Sequence, residues 1–245
     1  MANLGGIAML AELDGAVLVD KPVGVSAHDV MKAVKTHFNL VKVGHGGTLD
    51  VTASGIFALL FGDATRLSAD LMAFDRTYSV ELALGKSTDT GDFAGRPLGD
   101  ARPSAEITRA QFDAALAEWR GDVYQAPPAF SAVMIPGRPG YEIVAADEDE
   151  ARRERLVHVY RHAVAEFEPP RARLETVVAK GVSIRALVRD LGRTLGCGAC
   201  VESCRLVKAG GWRVEDALPF MSLLKLDAVD FKNRVLPRTG LLRRS

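Results

Sequence analysis

A single carboxylate, Asp50, stands on the glycine-rich segment Gly44-His-Gly-Gly-Thr-Leu-Asp50-Val-Thr-Ala-Ser-Gly55, between two apolar stretches. Gly44, Gly46 and Gly47 are expected to supply positive-φ backbone and room for another molecule to come close. An acid presented in this way can act on a bound ligand. The same spacing also suits a tight turn whose Asp caps Ser54 or a following helix. Arg185 is a second candidate, in the first turn of an apolar-periodic segment. The N-terminal end of a helix dipole disfavours a cation, so Arg185 is expected to have an anionic partner. Tyr78 opens an alternating stretch, where core packing and stacking on a ligand both suit it. His45 is a lone histidine for which a structural role and a ligand contact both stand. Cys197, Cys200 and Cys204 are one thiolate short of a structural zinc site and no spacing selects a histidine to complete it, so no metal is assigned.

These side chains need elements to hold them. Gly15 to Asp20 reads as a short buried strand ended by Lys21-Pro22, where proline removes a ladder donor. Ser26-x-x-Asp29 and Thr108-x-x-Gln111 are capping-box patterns. The first opens a helix with Val30, Val34 and Phe38 at helical spacing; the second opens one with Phe112, Leu116 and Trp119, stopped by Gly121. Tyr78, Val80, Leu82 and Leu84 share one face of a strand. Val157–Tyr160 and Leu174–Val178 are further strands, and the charged stretch Ala145 to Arg155 reads as solvated. Ile184, Leu187, Val188, Leu191 and Leu195 form one apolar helix face, with Gly196 as the stop.

The 245 residues suffice for a full core, and 48% hydrophobic with 25% charged residues is ordinary for a globular enzyme. Thirty-one basic and 31 acidic residues cancel, so a polyanion partner must be held by a local basic patch. No charged leader precedes Ile7 to Leu10, no apolar run is long enough for a membrane span, and the chain reads as cytoplasmic.

Taken in order, the motifs resemble the TruB family of tRNA pseudouridine synthases, from about Gly15 to Trp212. Leu18-Val-Asp-Lys-Pro-Val-Gly24 is similar to the family's LDKPxG segment, and Gly44 to Asp50 to its GHxGxLD loop. Gly62-Asp-Ala-Thr65 resembles GxATK, with Arg66 in place of lysine, and Thr88-Asp-Thr-x-Asp92 the following loop. Gln125 to Ala132 is similar to QxPPxYSA, and Lys180-Gly-Val-Ser-Ile-Arg185 with Asp190-Leu-Gly192 to KGTYIRxLxxDLG. The resemblance implies an α+β pseudouridine synthase catalytic fold, a mixed and mostly antiparallel sheet with flanking helices and a central active-site cleft. It implies isomerisation of uridine to pseudouridine in the TΨC loop of tRNA, without a cofactor, by a monomer that contacts the T-arm.

Under that resemblance Asp50 is the nucleophile, Tyr78 stacks on the flipped uracil, Arg185 supports the Asp50 charge and Asp92 holds Arg185. His45 fills the space the flipped base leaves. Ser183 and Cys204 fall at substrate-binding positions, while Lys21, Lys42, Arg66 and Lys180 are expected phosphate contacts. Several positions depart from the pattern: Gly46 for threonine, Val51-Thr52 for Pro-Leu, Met134 for lysine, Ser183 for a pocket tyrosine, and Cys204-Arg205-Leu206 for Leu-Arg-Arg. Leu218 to Gly240 resembles the family's linker into a small RNA-binding domain (PUA) that the sequence does not go on to contain. The expected division is therefore a catalytic domain over 1–215 and a truncated tail over 216–245, with recognition resting on the T-arm. Two alternatives stay open: a catalytically impaired relative that binds and remodels tRNA, and a synthase for T-arm-like loops in other RNA.

Overall fold

Strands β1 (Gly15–Lys21), β2 (Val43–His45) and β3 (Ala53–Phe61) enclose helix α1 (Ala27–His37) in chain order, and helix α2 (Ser68–Met72) leads to β4 (Arg76–Leu84). Helix α3 (Arg109–Ala117) precedes β5 (Gly121–Gln125), β6 (Phe130–Val133), β7 (Glu142–Ala145), β8 (Arg155–Glu168) and β9 (Arg171–Val178). Helix α4 (Ile184–Thr194) leads to β10 (Ala199–Ala209), β11 (Trp212–Arg213), β12 (Leu218–Pro219), α5 (Phe220–Leu223), α6 (Ala228–Asn233) and β13 (Leu236–Pro237). The computed structural model describes residues 10, 13–99, 103–126, 130–133, 142–145 and 154–242. They fall into two units, one of residues 1–76 with 205–245 and one of residues 77–204.

In the first unit the strands run in the order β12-β1-β3-β10, the last through its residues from 205 on. The β1–β3 pairing is antiparallel, from Gly15 opposite Phe61 to Lys21 opposite Gly55, and β12 pairs β1 in parallel. β3 is buried along almost its whole length, as a central strand covered on both faces must be. Val30, Val34 and Phe38 of the α1 segment are buried as their spacing requires, and Ser26 and Asp29 form the reciprocal capping box. Residues 218–241, read from sequence as a tail, pack into this unit. Phe231 is fully buried, stacked on Phe38 at 3.9 Å and edge-on to Phe61 at 5.6 Å.

In the second unit β9, β8 and β5 are consecutive antiparallel neighbours. The alternation of β4 buries Tyr78, Val80, Leu82 and Leu84 and exposes Glu81. β8 is longer than its readable core Val157–Tyr160, because its flanks carry Arg155, Arg161, Glu166 and Glu168 on exposed positions and a partly buried His162, which mask the strand pattern. Helix α3 has its capping box but ends at Ala117; Gly121, expected as its stop, opens β5 at φ +84°. Helix α4 buries Ile184, Leu187, Val188 and Leu191, and Gly196 follows at φ +74°. Gly192 allows the helix to touch the next strand, since a Cβ there would lie 2.1 Å from the Ala199 nitrogen. The Pro127-Pro128 break, Met134 and most of the Ala145–Arg155 stretch lie outside the described residues.

Candidate active site

Asp50 is exposed on the loop between β2 and β3. Its carbonyl accepts a hydrogen bond from the Ala53 nitrogen (3.0 Å), closing a turn, and Gly24 donates to the Val51 carbonyl (2.8 Å), tying that turn to the loop after β1. The glycines act otherwise than expected. None of Gly44, Gly46 and Gly47 has positive φ; neighbours press on Gly44 and Gly46, whereas a Cβ on Gly47 would meet only the Arg76 guanidinium at 3.8 Å. A Cβ on Gly44 would lie 3.2 Å from the Thr65 methyl, and one on Gly46 would lie 3.0 Å from Leu71 and 3.3 Å from Ala58. Leu71 thus occupies the room a side chain at position 46 would take. Gly55, at the far end of the segment, carries the positive φ (+120°), and a Cβ there would collide with the Leu206 carbonyl at 2.2 Å.

Lys21 is fully buried. Its ammonium group donates to the carbonyls of Pro22 (2.9 Å) and Val25 (2.8 Å), so it is turned inward. Burial lowers its pKa from the ordinary 10.5 to about 8, and the nearby Asp50 charge pulls in the opposite direction. Within the first unit Lys21 and Asp50 are therefore brought together. His45, at the end of β2, is partly buried with its ring 5.8 Å from Phe57, and its Nδ1 has no hydrogen-bond partner among the described residues. Burial pushes its pKa down, which keeps the imidazole neutral. Lys42 and Arg66 are exposed and both pair with Asp63 at 3.5 Å.

In the second unit Arg185 and Asp92 converge on Thr90. The Arg185 guanidinium donates to the Thr90 carbonyl (2.8 Å), while the Thr90 hydroxyl and the Ala94 nitrogen donate to the buried Asp92 carboxylate at 2.7 and 3.1 Å. Gly91, at φ +77°, lets this loop lie against Arg185. The loop is pinned to β10 by hydrogen bonds from Val201 to Gly91 (3.0 Å) and from Phe93 to Val201 (2.9 Å). Tyr78 is buried on β4, and Lys180 is exposed before Gly181. Cys204 is partly buried, Cys197 and Cys200 are buried, and all three are free thiols; burial raises the Cys200 pKa.

Ser183 has a local task that a tyrosine could not perform. Its hydroxyl accepts from the Ala186 nitrogen (3.2 Å), making it the N-cap of the helix that carries Arg185. The buried Gln125 amide brackets Ser183 from both sides, accepting from its nitrogen (3.0 Å) and donating to its carbonyl (3.4 Å). Gln125 opens one of the quoted motifs, yet sequence reasoning gave it no role. A second group it missed lies one residue past the Asp50 turn. Arg205 donates to both carboxylate oxygens of Asp20 (3.0 and 2.7 Å) and to the Ser54 hydroxyl (3.3 Å).

Comparison with known proteins places these features in a family. Residues 35–184 match the model for the TruB family pseudouridylate synthase, N-terminal domain. The chain is 35% identical to tRNA pseudouridine synthase B of Dechloromonas aromatica, covering 95% of this chain and 77% of that one. Identity is 38% to the protein of the same name from Chromohalobacter salexigens, over 94% and 75%. With the Opitutus terrae protein it is 34%, over 92% and 93%. The crystal structure of a Cbf5-Nop10-Gar1 complex has a similar fold, with TM-score 0.73 at 25% identity; the match covers 96% of this chain but only 63% of that one.

Proposed function

This chain belongs to the TruB family of pseudouridylate synthases, and from that footing we propose that it isomerises uridine to pseudouridine in the TΨC loop of tRNA. The observation that carries the reading is the presentation of Asp50, an exposed carboxylate on a turn anchored from two sides, with a buried ammonium in its field.

The reaction breaks the N1–C1′ glycosidic bond, turns the uracil, and forms a C5–C1′ bond; the C5 proton leaves and N1 gains one, so no electrons enter or leave. Positive charge develops at C1′ as the bond breaks. Asp50 attacks or holds that centre, as carboxylates do in glycoside hydrolysis. Its loop is fixed through backbone hydrogen bonds, so the carboxylate needs little reorganisation to reach the sugar. The carboxylate is the form that can attack, and the Lys21 ammonium lies in its field. Arg185, its guanidinium oriented by the Thr90 carbonyl, is the further cation assigned to support Asp50, and Asp92 stiffens the loop that orients it. Tyr78 stacks on the extruded base and offers a hydroxyl for removal of the C5 proton.

The target base must leave the RNA loop to be reached, and neutral His45 is suited to occupy the vacated stack. Lys180, Lys42 and Arg66 are assigned to the RNA backbone, Ser183 and Cys204 to the base pocket. The enzyme is assigned as a cytoplasmic monomer, meeting its tRNA through the T-arm.

The test is incubation of an unmodified tRNA transcript and of an isolated T-arm stem-loop with the purified chain, followed by mapping of pseudouridine. Product at the T-loop uridine of both supports the reading. Binding without product in either RNA would replace it with a tRNA-binding role, and product only in other RNA loops would move the substrate.

A further inference from the structure

We infer that Arg205 is an RNA-phosphate contact beside the reacting nucleotide, with its guanidinium plane set in advance by Asp20 and Ser54; this rests on the tRNA-modifying reading above.

Geometry is the first support. Asp20 of β1 lies opposite Ile56 of β3, and Ser54 begins the same stretch of β3, four residues past Asp50. Arg205 of β10 reaches both because Gly55 lacks a side chain and lets the Leu206 backbone lie close against β3. The guanidinium is thus attached to β3, which follows the Asp50 turn, and to β1, whose following loop is tied to that turn by the Gly24–Val51 hydrogen bond. Three of its five N–H groups are used, two by Asp20 and one by Ser54. The other two, Nε–H and one Nη–H, are left over from these bonds, on a side chain that is 40% exposed.

The second support is that the neighbouring cation is withdrawn. Lys21 follows Asp20 in the chain but spends its ammonium on the Pro22 and Val25 carbonyls, beneath the surface. Arg205 is a cation presented to solvent at this end of β1. As a surface ion pair, Arg205–Asp20 adds little to stability, because water screens it. Its physical effect is orientation: an end-on carboxylate fixes the planar fork, and a fixed fork binds a second oxyanion with less entropy loss. Glu215 also lies in the field of Arg205. The local potential is therefore modest, and the contact depends on directed N–H groups more than on net charge.

Asp20 is on this account a positioning residue. The experiment measures binding of a T-arm stem-loop RNA across a salt series, with steady-state kinetics, for wild type, Arg205→Gln, Arg205→Lys, Asp20→Asn and the Asp20→Asn/Arg205→Gln double variant. Thermal unfolding is recorded for each, so that folding losses are seen separately. For Arg205→Gln the slope of log K against log salt should shrink by about 0.7 to 0.9, the value of one phosphate contact. KM should rise about tenfold, with kcat falling less than threefold. Arg205→Lys and Asp20→Asn keep the cation and should keep the slope, yet each should raise KM because the fork is lost or released. The double variant should be no worse than Arg205→Gln, since the two side chains act as one group.

An unchanged slope and KM in Arg205→Gln overturns the contact. A loss confined to thermal stability, with unaltered slope in every variant, reduces the trio to a structural brace and also overturns it. If wild type binds the RNA but forms no pseudouridine, the activity reading fails, while the slope comparison still decides the Arg205 contact.

Discussion

Lys21→Met should change how stability depends on pH, and the size of the change follows from the burial of Lys21. The folded-state pKa lies near 8 and the ordinary value at 10.5. The folded protein thus releases the Lys21 proton at lower pH than the unfolded chain. Below pH 8 both states hold the proton and the cost of burying the charge is fully present. Between about 8 and 10.5 the unfolded chain binds more protons, so stability rises with pH in that window. For a single group with these two values the gain from pH 7 to pH 10 is about 2 to 3 kcal/mol, roughly half of it reached by pH 9. Met has similar length and no charge, so its variant lacks this contribution. Urea unfolding of both proteins at several pH values, plotted as the difference wild type minus Lys21→Met, should climb by that amount. A flat difference, or one that falls with pH, would refute the assignment of Lys21 as a desolvated ammonium.

Three further outcomes follow from the packing. Ser183→Ala removes the N-cap oxygen of α4 and should cost about 1 kcal/mol in urea unfolding, with a larger kcat loss than a surface substitution because Arg185 sits in that first turn. Phe231→Ala empties a site enclosed by Phe38 and Phe61 and should cost about 3 to 5 kcal/mol; a change under 1 kcal/mol would contradict the packing of residues 218–241 into the first unit. Gly55→Ala adds a clash with Leu206 to an unfavourable φ and should cost about 3 kcal/mol or more.

Short-range features were legible in the sequence. Both capping boxes, the apolar face of α4, the buried run of β1 and the alternation of β4 are set by side chains within a few residues of one another, so their periodicity shows directly. The Asp50 loop was readable as a presented carboxylate, but the reason for its glycines was not. Gly44 and Gly46 are small because Thr65, Ala58 and Leu71 approach them, and those neighbours are distant in the chain. The same limit hid the bracket between Gln125 and Ser183, 58 residues apart, and the Arg205–Asp20 pair, 185 residues apart. The inward fold of the Lys21 ammonium was hidden as well, because the paths of the Pro22 and Val25 carbonyls determine it.

The central claim is that Asp50 carries the chemistry, and Asp50→Asn tests it most directly, because it keeps the side-chain size and removes the charge. Single-turnover conversion of an unmodified tRNA transcript should give pseudouridine at the T-loop uridine with wild type. With Asp50→Asn the rate should fall by at least about a thousandfold, more than 4 kcal/mol of transition-state stabilisation, while tRNA binding stays within a few-fold. Conversion by Asp50→Asn at a rate within tenfold of wild type would contradict the account.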